Sequence, residues 1–163
     1  MAVTKGTAEV TLPADNEILI TREFDASPGL VFQAWTTPEL IERWWGCGRG
    51  DVSAEVDLRV GGSWRYEMRM GDGGEFAFYG EFREIAPGER LVNSEIFDQF
   101  PEAVSVITSD FRELDGGRTR LEQRCEYPSR EVRDSVIESG METGMQESMD
   151  ELEVIAVEMR GGE

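Results

Sequence analysis

Residues 129–159 read SREVRDSVIESGMETGMQESMDELEVIAVEM, and this stretch decides the fold. Ile137, Met141, Met145, Met149, Leu152, Ala156 and Met159 recur at steps of three and four, the spacing that gathers side chains on one face of an α-helix. Ser129, after Pro128, is placed to cap the helix, and Glu131 in the first turn suits the positive end of its dipole. The spacing predicts one long amphipathic helix from Ser129 to Met159. Gly140, Gly144 and Ser148 run beside the methionines. A glycine inside a helix costs about 1 kcal/mol relative to alanine. The row therefore implies either close approach to whatever lies beneath or space left for something else.

The surface beneath is found upstream, where the period changes to two. Val52–Arg59, Ser63–Met70, Glu75–Ile85, Arg90–Phe97, Val104–Leu114 and Arg118–Tyr127 read as strands, and Glu17–Asp25 as an earlier one. Gly-rich and Pro-Gly turns separate most of them, so consecutive strands pair antiparallel. Trp64, Tyr66, Met68 and Met70 alternate with Arg65, Glu67 and Arg69, and Leu121, Gln123 and Cys125 alternate with charged neighbours. One face is therefore covered and the other wet. Between the first two strands, Ser27-Pro28 and Thr37-Pro38 each open a short helix, one carrying Leu30, Val31, Ala34 and Trp35, the other Leu40, Ile41, Trp44 and Trp45, with Gly46 as the stop. The class is α+β: a seven-stranded antiparallel sheet, two short helices after its first strand and a long C-terminal helix. Residues 1–16 read as a disordered or extended segment and residues 17–160 as a single domain.

Composition narrows the function. The formal charge is −18, with 34 acidic and 16 basic residues in 163. Such a field repels phosphate backbones and anionic membranes, so neither nucleic acid nor membrane is expected as a partner. Solubility or adaptation to salt is the plain reading of the acidity. No histidine is present, which removes the commonest base near neutral pH, the commonest metal ligand and any His-containing triad. Cys47 and Cys125 are too far apart in sequence for a zinc or CxxC spacing and read as small core or loop residues. No metal, cofactor or catalytic residue is assigned. The polar start of the chain has no apolar segment of the signal-peptide kind, and the expected location is cytoplasmic.

The order of elements, with Arg22–Pro28, Val31–Thr36, Pro38–Gly46, Val60–Met68, Gly80–Val92, Gly144-Met145 and Met149–Leu152 in sequence, resembles the START-like (SRPBCC) helix-grip superfamily. Within it the chain resembles the branch named after the activator of heat-shock protein 90 ATPase, in its small single-domain bacterial form. The resemblance spans Glu17 to Met159. It implies a sheet curved around the C-terminal helix, with a pocket between them, and points to stress response through the family name. The branch often has tryptophans after the Glu89–Val92 match, where this chain has Asn93, Ser94, Glu95, Ile96 and Phe97. By analogy Asn93, Glu95 and Phe97 face inward, although Val92 and Ile96 leave the parity open.

The lining expected for such a pocket is Trp44, Trp45, Trp64, Tyr66, Met68, Phe78, Phe97, Met141 and Met145. Glu95, Gln123 and the Tyr66 hydroxyl are the polar groups that would orient a guest. Aromatic and methionine stripes ordinarily pack cores, so each of these residues has a purely structural reading beside the functional one. The function expected is non-enzymatic binding of a small hydrophobic or amphipathic molecule. A co-chaperone-like protein-binding role, with a chaperone as partner, is one alternative. A cyclase, aromatase or hydrolase using cavity acids such as Glu95 is another. A homodimer stays open.

Overall fold

A computed structural model describes residues 8–46 and 50–161. Cys47 therefore lies outside the described residues. Strand β1 (Glu9–Thr11) is followed by β2 (Glu17–Phe24), α1 (Pro28–Thr36) and α2 (Pro38–Trp44). Six strands come next: β3 (Gly50–Val56), β4 (Ser63–Met70), β5 (Glu75–Ala86), β6 (Arg90–Phe97), β7 (Val104–Leu114) and β8 (Arg118–Glu126). Helices α3 (Arg130–Glu138) and α4 (Met141–Gly161) complete the order.

All neighbours are antiparallel, in the order β1-β2-β8-β7-β6-β5-β4-β3. The seven expected strands are present, and β1 is an eighth, pairing Glu9–Thr11 with Leu19–Thr21. Three residues without clear alternation left it unread in the sequence. A register shift between Phe82 and Glu84 bends the twelve-residue β5, as an extra residue on one side of a ladder does. No helix among the described residues is long and apolar enough to cross a membrane.

The short helices start as the sequence predicts. The Ser27 hydroxyl accepts from the Leu30 N–H at 3.4 Å, and Pro28 and Pro38 occupy first-turn positions where no N–H is needed. Thr37 is extended, as a residue before proline prefers, and so separates the two helices.

The long C-terminal helix is present as the 21-residue α4, but it does not run unbroken from Ser129. Gly140 adopts φ +82° and ends α3 after Ser139; α4 begins at Met141. Glycine enters the left-handed region at no steric cost, and the position just past a helix is where it is most often used. Gly140 is thus a stop and not part of a small-residue packing row. The break also turns Ile137 out of the expected stripe, leaving it 39% exposed, while Ile155 is fully buried with Met149, Leu152 and Ala156.

The second half of α4 packs over β2 and β8, whose Ile18, Ile20 and Leu121 are almost wholly covered. Truncating Leu152 or Ile155 here would cost about 2–5 kcal/mol on the usual scale for core residues. Arg22, inward on β2 and buried, clasps this half of the helix. It donates to Asp150 at 2.9 Å, to Glu153 at 3.0 Å and to the Met149 carbonyl. Burial lowers its pKa, opposed by the two carboxylates. Removing one partner of a buried charge cluster typically costs 3–5 kcal/mol, about what an apolar core truncation does.

Candidate functional site

Pairing fixes which side chains share the inner face. Ala54, Tyr66, Phe78 and Phe97 are successive cross-strand partners from β3 to β6. On β6 the same parity gives Asn93 and Glu95, whose β7 partners are Ile107 and Ser105. Ile107 pairs with Cys125, and Cys125 with Ile18 of β2. Asn93, Glu95 and Phe97 therefore face inward, while Val92 and Ile96 point the other way.

Covering of this concave face is uneven. Towards the second half of α4, Ile18, Ile20 and Arg22 of β2 and Leu121 of β8 are almost wholly covered. Towards β4, β5 and β6, Tyr66, Phe78, Glu95 and Phe97 are only half-buried, as are Gln123 on β8 and Trp45 at the end of α2. Met141 and Met145, on the first half of α4, are half-buried too and pack against the same core. No residue from Met141 to Ser148 is fully buried.

The rings on the uncovered side form one cluster. Phe78 and Phe97 stack at 4.9 Å, with 25° between planes. Trp45 meets Tyr66 at 5.5 Å and Phe78 at 5.8 Å, both edge-on. Phe76 stands against Phe78 and Phe97 at 6.0 Å each, and Trp64 leans on Tyr66 at 4.7 Å. Trp44 goes elsewhere. It sits 5.4 Å from Trp35 and donates its indole N–H to the Ala34 carbonyl, in a second aromatic group with Phe111. Successive residues on a helical turn diverge by about 100°, so the two tryptophans cannot face the same way. Met68 is buried beside Gly46 and Val52, on the same face of β4 as Tyr66 and opposite Phe76.

Glu95 sits at the edge of these rings. The register on either side, Phe78↔Phe97 and Phe82↔Asn93, places Gly80 opposite it. A side chain at position 80 would strike the Ser94 carbonyl. That carbonyl accepts instead from the Trp64 indole and the Asn93 amide, each at 3.1 Å, and the Ser94 hydroxyl takes the Glu81 N–H at 2.9 Å. A glycine within a strand marks such a close approach.

Glu95 makes no hydrogen bond or ion pair with another described residue. Its carboxylate keeps contact with solvent-sized space, yet the protein around it removes enough hydration to raise its pKa from 4.5 to about 7. Burial, with the Glu95 charge as a second cause, also raises the Tyr66 hydroxyl. Cys125 is pushed up to about 12 by burial, then by Glu95, and is hydrogen-bonded to Tyr127, whose own pKa is raised chiefly by burial. At neutral pH these three groups are neutral and Glu95 alone titrates. Ser109, opposite Gln123, holds a buried hydroxyl without a hydrogen-bond partner among the described residues.

The structure thus brings Trp45, Trp64, Tyr66, Phe78, Glu95 and Phe97 together, with Gln123, Met141 and Met145 on the adjoining side. Phe76 and Tyr127 were missed, although each lies two residues from an assigned or noted inward neighbour, Phe78 and Cys125. A separate open depression of about 750 Å³, lined by Pro28, Gly29, Gly88, Arg90 and Phe111 among others, is a weaker candidate. Its Arg90 and Arg112 are engaged by Asp110 and Glu122.

A family model described as "Activator of Hsp90 ATPase homolog 1-like protein" matches residues 25–156. No curated protein matches significantly by sequence. Among solved structures, a Rhodobacter sphaeroides protein superposes with a TM-score of 0.85 at 24% identity, covering 92% of this chain and 98% of its own. Protein Ms6760 of Mycobacterium smegmatis gives 0.80 at 26%, covering 90% and 94%. A Plasmodium falciparum protein described as an HSP90 activator gives 0.65 at 26%, covering 86% and 95%.

Proposed function

The chain belongs to the Activator of Hsp90 ATPase homolog 1-like family, and from that premise and the geometry above we propose that it binds a small apolar or amphipathic molecule in a cavity between the sheet and α4, without catalysing a reaction on it. One observation carries this reading. Trp45, Tyr66, Phe76, Phe78 and Phe97, on the β4–β6 side of the concave face, stay half-buried, whereas the aliphatic Ile18, Ile20 and Leu121 towards the second half of α4 are sealed. Apolar surface left accessible forfeits about 25 cal/mol per Å², which a guest of matching shape recovers. Glu95, Gln123 and the Tyr66 hydroxyl are the groups that would orient it. A hydrolytic or cyclising role has less support. The Cys125 thiol is protonated at neutral pH, and Glu95 has no partner base.

The test is titration with Nile red, a neutral dye that brightens in apolar surroundings. Saturable binding is expected, and Met145→Trp, which sets a bulkier side chain on the first half of α4, weakens it at least tenfold without lowering the melting temperature. Absence of saturable binding, or indifference to Met145→Trp, sinks the reading. A second reading, a co-chaperone role, is supported by the likeness to the Plasmodium falciparum HSP90 activator. Stimulation of an Hsp90 ATPase by this chain would favour it.

A further inference from the structure

We propose that the occupant of this site is an organic cation: an amine or quaternary ammonium on an apolar or aromatic body. The inference rests on the cavity reading and narrows its ligand class.

Three observations converge. First, the register places three charged side chains on the concave face among the described residues: Arg22, Glu95 and, exposed at the far end of β7, Glu113. Arg22 is held by Asp150, Glu153 and the Met149 carbonyl. Glu95 has no such partner among the described residues, and its carboxylate reaches open space. An anionic amphiphile would find a carboxylate facing it and no unengaged cation among the described residues of that face. Second, Glu95 lies one same-face step along β6 from Phe97, which stacks on Phe78. Trp45 and Phe76 stand at steep angles to that pair. Rings set at angles around one region present faces and edges to it, and ring faces attract cations, the more so where water is excluded. Third, the net charge of −18 gives the chain a field that draws cations.

The groups around Glu95 do not compete for its charge. β4 brings Tyr66, β8 brings Cys125 with Tyr127 just after it, β7 brings Ser105 opposite it, Trp45 follows the end of α2, and α4 contributes Met141 and Met145 to the same core. Glu138, Glu142 and Glu147 on α3 and α4 are exposed. Burial keeps the tyrosines and the thiol neutral, so an entering ammonium meets a single titrating group. Affinity for a permanent cation is therefore expected to rise as Glu95 ionises.

The experiment is displacement of Nile red by benzyltrimethylammonium and by neopentylbenzene, its uncharged carbon isostere, in salt sufficient to screen the surface. At about pH 8 the cation is expected to bind at least tenfold more tightly than the isostere. At about pH 5.5, where Glu95 is protonated, the advantage shrinks to threefold or less, and Glu95→Gln removes it at either pH. The wild-type pH profile needs no variant, and dye binding by Glu95→Gln shows that the variant folds. Equal binding of the two probes at both pH values overturns the cation inference and leaves the cavity reading standing. So does a cation advantage that survives Glu95→Gln. Failure of the dye itself to bind is the separate outcome that removes the cavity.

Discussion

Glu95 sets a pH dependence of stability as well as of binding. Its pKa stands at about 7 in the folded chain against 4.5 for an ordinary glutamate. The unfolded chain gives up this proton first, so between those values the folded state holds more protons and stability falls as pH rises. The penalty is absent below about pH 4.5 and complete above about pH 7, where it is on the order of 3 kcal/mol. Glu95→Gln is expected to match the wild type near pH 4 and to exceed it in urea midpoint at pH 8. A difference between the two that does not change with pH would contradict this. Much of the site was legible, because period two places Tyr66 with Trp64 and Phe97 with Glu95. The facing of Glu95 was not, since Val92 and Ile96 offer an equally apolar alternative, and only pairing with Ile107 and Ser105 decides between them. Trp44 misled because its chemistry matches that of Trp45 while its direction does not.

At the level of elements, the turn residues and proline-led helix starts placed seven strands and the two short helices. The C-terminal segment was harder. Its three- and four-residue steps continue across Gly140, so periodicity alone cannot see the stop; a left-handed backbone at one residue makes it. A Cβ at position 140 would meet nothing within 4 Å, so Gly140→Ala isolates the backbone term. It should lower stability by about 1–2 kcal/mol, the cost of a left-handed conformation for a residue with a side chain, as read from chemical denaturation. No change, or a gain, would mean that α3 and α4 join into one helix when alanine allows it. The uneven grip on α4 also belongs to this scale. Arg22 and the apolar residues from Met149 to Ala156 hold its second half, while the first half is tied mainly by Gln146, which exchanges hydrogen bonds with the backbone of Ala8 at 2.7 and 3.0 Å.

For the whole molecule, charge balance determines the response to salt. Ion pairs such as Arg118–Glu23, Arg112–Glu122 and Arg90–Asp110 decorate the exposed side of the sheet and weaken slightly when screened. With 34 acids against 16 bases, repulsion among the unmatched carboxylates is the larger effect. Raising sodium chloride from low ionic strength towards about 0.5 M shortens the screening length to a few Å. The melting temperature should then rise by a few degrees, the shift that about 1 kcal/mol makes in a chain of this size. A fall would show that the pairs outweigh the repulsion. The sheet has two open margins, β1 and β3, and β3 is the longer. There the backbone N–H of Ala54 is taken by a carboxylate oxygen of Glu42, reaching over from α2 at 3.0 Å, and Asp51 and Glu55 stand exposed along the same strand. A strand from a neighbouring molecule would have to evict one acid and approach two more to add itself here. The chain can therefore be crowded with copies of itself without its sheet being extended into fibres from that side.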